Sequence, residues 1–440
     1  MHKLIIGDNY DALQQLLITH RGMIDVIYID PPYGCDSMGQ FADMNYTNSL
    51  TRDNLLSMLY PRLQLAKQLL SDDGVIFVSI DDKNQAQVKG LMDEIFLEEN
   101  FVGMAPRKTC DIIRKVSDSE LQSIFDYVII YKMEFTKFTK EITNQKTYPF
   151  EDENGKYFLS AFQNSGPNST RRARPHEYYP IYLNSDGSLS LEPTPDTTRE
   201  IYPKPSGGED GRWLWSKGKF EKDKHLLVFS GDTIKKKRYS TEFEDDNVYQ
   251  SFKLWLDDKE FRNNKGTLML SSIVAQGCFD NPKPVDLIKW LINLCPNKNA
   301  IVLDFFAGSG TTGHAVLELN REDNGHRTYI LCTNNEETVK TPNGIAYDVT
   351  AKRLRRIMCG ICYDGCSDFK WLENNQPYGD NLDVYEIESV NNSEQDSGKS
   401  PFDVIDETCY DMPKFASVQE KIAWVCNNFE NTQKYIKEEE

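Results

Sequence analysis

Two short segments of the chain carry residues whose order points to chemistry. In Ile27-Tyr28-Ile29-Asp30-Pro31-Pro32-Tyr33-Gly34 an apolar run stops at a carboxylate, followed by two prolines and an aromatic ring. Proline has no backbone N–H and a fixed φ, so Asp30 and the Pro31 carbonyl are presented as rigid acceptors. Such a pair suits an exocyclic amino group. That nitrogen is a poor nucleophile because its lone pair is delocalised into the ring. Two acceptors gripping its hydrogens favour the pyramidal geometry that frees the lone pair, a stabilisation felt mainly in the transition state. Tyr33 would stack on a base, and a base inside a duplex must first be extruded to be reached. Taken alone, these residues also read as a strand-ending turn with a surface tyrosine.

The second segment is Ile301-Val302-Leu303-Asp304-Phe305-Phe306-Ala307-Gly308-Ser309-Gly310-Thr311-Thr312-Gly313, a buried strand feeding a glycine turn and then a helix. Gly308 and Gly310 permit a tight turn and close approach of a ligand to the backbone. The helix start at Thr311 favours a negative group. A Gly-x-Gly turn alone is shared by many nucleotide-binding and flavin folds. The next strand, Tyr329 to Thr333, ends in Asn334-Asn335-Glu336-Glu337, where an acidic side chain commonly takes ribose hydroxyls. Glu336 is the candidate, and a pair of surface glutamates is the alternative.

The elements that must position these residues alternate. Lys3–Ile6 and Val26–Asp30 read as strands, and Leu55, Leu56, Leu59, Leu63, Ala66, Leu69 and Leu70 recur at helical spacing before Asp72-Asp73-Gly74 ends the pattern. A strand over Val75–Ile80, a helix over Asn84–Phe96 and a strand over Tyr127–Tyr131 follow. From about Phe135 the regularity fails, with turn clusters such as Lys204-Pro205-Ser206-Gly207-Gly208. Tyr178, Tyr179, Trp213, Trp215, Phe220 and Trp255 are too many large apolar anchors for an unfolded linker, so this stretch reads as an inserted domain. The α/β alternation returns after Phe279 with a helix over Val285–Cys295, the Ile301 strand, a helix over Thr311–Asn320 and a helix over Val349–Met358. The fold class that follows is α/β, a mostly parallel sheet covered by helices. Four regions are expected: 1–134, an insert over 135–278, 279–370, and a C-terminal extension over 371–440.

A net charge of -18 argues against nucleic acid as a partner, because phosphate binding rewards Lys and Arg. The average conceals a contrast along the chain. Residues 1–100 hold 7 basic and 15 acidic groups, whereas residues 101–280 hold 27 of each. The start of the chain carries no apolar segment long enough for a leader or membrane span, so a cytoplasmic protein without membrane contact is expected. Ten cysteines scattered through such a chain read as reduced thiols. Cys359, Cys362 and Cys366 are close enough to hold zinc, but no fourth ligand lies nearby, and the expectation is no metal.

Asp-Pro-Pro-Tyr together with Asp304-x-Phe306-x-Gly308-x-Gly310 resembles the amino-methyltransferases of nucleic acids. The tetrad precedes the glycine turn, an order similar to the circularly permuted beta class. Gly7-Asp8-Asn9, Arg212-Trp213-Leu214-Trp215-Ser216-Lys217 and Phe279-Asp280-Asn281-Pro282-Lys283-Pro284 resemble the modification subunits of type III restriction–modification systems. The resemblance implies a Rossmann-like sheet of seven strands with the catalytic half first, and transfer of a methyl group from S-adenosylmethionine to adenine N6 in double-stranded DNA. It implies Asp30, Pro31, Pro32 and Tyr33 as catalytic residues. For the cofactor it implies Asp8, Phe279, Lys283, Asp304, Phe306, Gly308, Gly310, Thr311 and Glu336, with Lys283 facing the methionine carboxylate and Asp8 near the adenine end.

Target recognition falls to the insert. Arg171, Arg172, Arg174, Lys235, Lys236, Lys237 and Arg238 are candidate phosphate contacts, and Arg212 with its tryptophans a structural or base-contacting patch. A solvated face explains any one of these clusters equally well. Implied partners are a separate restriction subunit and a second copy of the chain. An RNA adenine methyltransferase, and a specificity subunit that binds DNA without turnover, are the competing readings.

Overall fold

The computed structural model describes residues 2–32, 52–111, 123–166, 168–205, 208–388, 414–417 and 419–424. Tyr33 lies outside the described residues, as does the polar stretch 391–400. The chain divides into two compact units, one of residues 1–139 with 253–440, the other of residues 140–252.

The first unit is built on one sheet. Its elements are β1 (His2–Ile6), α1 (Asn9–His20), β2 (Ile24–Ile29), α2 (Arg52–Leu69), β3 (Leu70–Ile80), α3 (Gln85–Phe96), β4 (Phe101–Lys108) and β5 (Phe125–Lys132). After the second unit come α4 (Asn263–Ile273), α5 (Val285–Asn293), β6 (Ile301–Asp304), α6 (Thr311–Asp323), β7 (Thr328–Thr333), α7 (Lys352–Cys359) and β8 (Leu382–Glu386). The strand order is β8-β1-β7-β6-β2-β3-β5-β4. Pairing is parallel from β8 to β3, and β5 runs antiparallel to both β3 and β4.

Central strands of a parallel sheet are covered on both faces and so read as continuous apolar runs. β2 and β6 fit that rule, with Val26, Ile27, Ile29, Val302 and Leu303 all 0% exposed. Helices α1, α2 and α3 pack with Ile27, Ile29, Ile76, Ile330 and Cys332 in one cluster. The alternate residues Tyr329 and Leu331 meet Gly313 of α6, so helices cover the opposite face as well. Among the described residues no helix is long and apolar enough to cross a membrane.

Three features depart from the sequence reading. The sheet has eight strands rather than seven, because Leu382–Glu386 adds a parallel edge strand beside β1. Its residues are half exposed, so it lacks the apolar run that betrays an interior strand. β3 begins at Leu70, not Val75, since Leu70 already pairs with Ile24. Residues 253–278, assigned to the insert by their irregular sequence, belong to the sheet unit: Leu254 packs on Gly103, Lys108 N donates to Leu256 O, and α4 follows.

The second unit holds a four-stranded antiparallel sheet (Leu227–Ser230, Thr233–Tyr239, Gly155–Ala161, Phe150–Asp152), a three-stranded one centred on Ile181–Asn184, and a strand pair. Phe162, Tyr179, Ile181, Trp213, Trp215, Phe220 and Ile234 form its core. Both tryptophans are held by Tyr179: the Trp213 indole donates to the Tyr179 carbonyl at 2.8 Å, and the Tyr179 hydroxyl donates to the Trp215 carbonyl at 2.8 Å.

Candidate active site

Neighbouring parallel strands end on the same edge of their sheet. β2 and β6 pair through Val26↔Val302 and Ile27↔Leu303, so the segments that follow them, Asp30-Pro31-Pro32 and the Gly308 turn, leave the sheet side by side. Both line one cavity of about 620 Å³, together with Asp8, Asn9, Arg62, Asp126, Phe279, Lys283, Phe306 and Glu336. The crevice beyond the carboxyl ends of strands is where open α/β sheets bind ligands.

Gly308 and Gly310 take left-handed conformations, with φ of 49° and 73°. The Thr350 hydroxyl donates to the Gly308 carbonyl at 2.5 Å, and Phe279 lies so close that a methyl on Gly308 would meet its ring at 3.0 Å. Asp304 does not line the cavity. It is 2% exposed, and its carboxylate accepts from Thr312 Oγ1 at 2.5 Å and Phe306 N at 3.0 Å, stapling the turn to the start of α6. Burial pushes its carboxyl up to about 7. Thr311 also turns inward, its hydroxyl accepting from the buried Arg353 at 2.9 Å. The side chains of Asp304 and Thr311 thus brace the turn from inside.

Asp8 caps α1 by accepting from Tyr10 N at 2.7 Å and pairs with Arg62 at 2.9 Å. Arg62 also donates to Asn9, whose amide in turn donates to the Phe305 carbonyl at 2.6 Å. This clip ties the first turn of the chain to the segment after β6. Sequence reasoning passed over Arg62, although a charged residue at the buried spacing of Leu55, Leu59 and Ala66 was a signal. Glu336 lines the cavity and is half buried, whereas Glu337 is exposed.

Lys283, expected to face the methionine carboxylate, lies beside the tetrad. Its ammonium contacts Asp30 Oδ1 at 2.7 Å and lies 3.9 Å from Asp126. The adjacency of β2 and β6 explains this, since the segment before α5 then crosses in front of both strand ends. Asp126 and Arg107, paired at 2.7 Å, were also missed; their signal was one charge of each sign set among the apolar residues of β5 and β4.

In the second unit, Arg212 is 7% exposed and donates to Glu177, the Asn168 carbonyl and the Trp213 carbonyl. Of the two roles open to it, the structural one is what its geometry supports. Lys237 pairs with Asp152 at 2.6 Å, Arg238 with Glu242 at 2.8 Å, and Lys236 sits 5.4 Å from the Trp215 ring centre. Arg171 pairs with Asp210 at 3.2 Å and Arg174 with Glu177 at 3.4 Å. Arg172 is exposed and Lys235 half exposed. In the cysteine cluster Cys359 is exposed, Cys362 is buried, and Cys366 Sγ donates to the Asp368 carbonyl at 3.6 Å.

A sheet covered on both faces by helices, with two adjacent parallel strand ends opening on one cavity, places the chain in the Rossmann-like α/β class. Residues 24–344 match the family of DNA methylases, and the chain belongs to that family. It is 34% identical to the type II methyltransferase M.KpnI of Klebsiella pneumoniae over 84% of this chain and 89% of that one. It is 27% identical to the Mod subunit of the type III restriction–modification enzyme EcoPI of Escherichia phage P1, over 80% of this chain and 62% of that one. It is 29% identical to the StyLTI Mod subunit of Salmonella typhimurium, over 88% and 63%. The chain thus spans less than two thirds of the length of these two type III relatives.

Proposed function

We propose that this DNA methyltransferase moves a methyl group from S-adenosylmethionine to the N6 of an adenine extruded from double-stranded DNA, as the modification component of a restriction–modification system. The observation that carries the reading is the meeting of the Asp30 segment and the Gly308 turn across one cavity.

The cavity fits the donor. Six carboxylates line it (Asp8, Asp30, Asp81, Asp126, Asp280 and Glu336), against Arg62 and Lys283, each already paired with one of them. Such a field favours a sulfonium cation. The bound donor supplies an electrophilic methyl group. Gly308 lets the backbone come close to it, Phe279 and Phe306 give apolar walls, Glu336 takes ribose hydroxyls, and Asp8 lies toward the adenine end. Asp30 and the Pro31 carbonyl accept hydrogen bonds from the target amino group and aim its lone pair, so attack is direct and in line. Tyr33 stacks on the base. Aspartate at the head of the tetrad favours adenine over cytosine. Residues 140–252 read the target sequence, with Arg172 and Lys235 against phosphates.

The partners in this reading are duplex DNA, a restriction subunit on another polypeptide and a second copy of the chain, all in the cytoplasm; the type III relatives support the restriction partner. The test is incubation with methyl-labelled S-adenosylmethionine and mixed-sequence duplex DNA, followed by nucleoside analysis. Label in N6-methyladenine is expected. Label confined to cytosine, or none, defeats the proposal. Asp30→Ala is expected to abolish transfer while the cofactor still binds, and an active variant would refute the role given to Asp30.

A further inference from the structure

Behind Asp30 lies a ladder of alternating charges. Lys283 bridges Asp30 Oδ1, at 2.7 Å, and Asp126, at 3.9 Å. Arg107 grips both oxygens of Asp126, with Nε at 2.7 Å from Oδ1. Its remaining donors are spent on the Phe261 carbonyl at 2.7 Å and Asn263 Oδ1 at 2.9 Å. Exposure is 25% for the Asp30 side chain at one end, 7% and 9% for Lys283 and Asp126, and 1% for Arg107 at the other. Ions taken this far out of water must be paired, and losing one partner strands the other. The far end is therefore immobile, fixed by β4, β5 and the segment before α4.

A lysine committed to a cofactor carboxylate needs neither Asp126 nor Arg107. A lysine whose task is to hold Asp30 needs a second anion to anchor it, and Asp126 is that anion. Among the described residues, no hydrogen bond reaches Asp30 Oδ2, so the ladder holds one oxygen of the carboxylate and leaves the other for an incoming amino group. Because rate depends on the angle at which the amine is gripped, a few tenths of an ångström at Asp30 matter.

Resting on the methyltransferase reading above, we propose that Arg107, Asp126 and Lys283 form a positioning relay that orients the Asp30 carboxylate for the target amine, so that Lys283 serves the methyl acceptor rather than the donor. None of the three is a catalytic residue; they act through Asp30.

The experiment is steady-state methyl transfer and S-adenosylmethionine binding for the full chain and the variants Asp126→Asn, Lys283→Met, Lys283→Arg and the double variant Asp126→Asn/Lys283→Met. If the relay is right, Asp126→Asn and Lys283→Met each lower kcat by about 10- to 100-fold, while the cofactor Kd moves by less than about twofold. Lys283→Arg retains most of the rate, since a guanidinium can still bridge two carboxylates. The double variant is no slower than Lys283→Met, because residues acting in one chain are not additive. The opposite split overturns the proposal: a cofactor Kd raised tenfold or more by Lys283→Met with kcat unchanged at saturation, or Asp126→Asn indistinguishable from wild type. Additive losses in the double variant also overturn it. Should Asp126→Asn not fold, Asp126→Glu, which keeps the charge at the wrong reach, carries the same split. Absence of transfer by the wild-type chain would instead sink the function itself.

Discussion

Replacing Gly308 with alanine puts a methyl group 3.0 Å from the Phe279 ring on a backbone whose φ is 49°. Two costs follow. The left-handed conformation is unfavourable for any residue with a Cβ by about 1–2 kcal/mol. The ring contact is a few tenths of an ångström too short for comfort, so Phe279, half buried in the same wall, must shift or the turn must open. Opening the turn pulls on the Thr350 hydrogen bond that pins the Gly308 carbonyl. Stability is expected to fall by about 1–2 kcal/mol, a few degrees in melting temperature. S-adenosylmethionine affinity drops about tenfold for each 1.4 kcal/mol of strain that the bound state carries beyond the free state. Calorimetric titration with the cofactor and a melting curve measure both. Adding Phe279→Leu separates the terms: the shorter side chain removes the clash but not the φ penalty, so the double variant stays less stable than Phe279→Leu alone. A Gly308→Ala protein with wild-type melting temperature and wild-type affinity refutes the reasoning for this wall of the cavity.

Other consequences are open to direct measurement. Asp304, held near 7 by burial, is a group whose folded-state value lies above its unfolded value of 3.8. Its contribution is therefore best below the unfolded value and is lost as pH rises through 7, by at most about 4 kcal/mol for three pH units. Asp304→Asn should flatten stability across pH 4 to 7 in denaturant titrations, and an unchanged slope would count against it. Arg212→Ala removes the buried partner of Glu177 inside the second unit and leaves it only the exposed Arg174 at 3.4 Å, a loss at the low end of the about 3–5 kcal/mol that breaking a buried pair costs. Loss of the near-ultraviolet signal of Trp213 and Trp215 is expected, and an intact signal with an intact melting curve argues otherwise. Arg172→Ala should leave melting untouched while lowering the slope of log DNA affinity against log salt by about one, as removal of one phosphate contact requires. An unaltered slope removes Arg172 from the interface.

How much was legible before any coordinates depended on whether the signal was local. The strand ends at Asp30 and Asp304, the glycine turn, the alternation of strand and helix, and the anchors Tyr179, Trp213, Trp215 and Phe220 of the insert were readable, whereas Trp255, read with them, belongs to the sheet unit and packs on Phe125. Each is a property of consecutive residues: an apolar run long enough to be a buried strand, a proline pair that stiffens a turn, a glycine that accepts a positive φ. The order of the two motifs along the chain pointed to a permuted sheet. Less was readable at the edges. The strand Leu382–Glu386 escaped because an edge strand is half exposed and carries no uninterrupted apolar run. Residues 253–278 looked like insert because their ties to β4, a backbone bridge at Leu256 and the Arg107 hydrogen bonds to Phe261 and Asn263, span about 150 positions and leave no periodic mark in the local sequence.

The sequence by itself settled which residues could do chemistry; the tertiary structure alone decided which of them face the cavity. Asp304 and Thr311 belong to the recognisable motif yet spend their polar atoms inside the turn, because a tight turn must satisfy its own buried groups before it can serve a ligand. Lys283 stands 253 positions from Asp30 and pairs with it, and Arg62 reaches Asp8 across 54. Such pairs form only when sheet order brings distant strand ends together, and no short window of sequence carries that information.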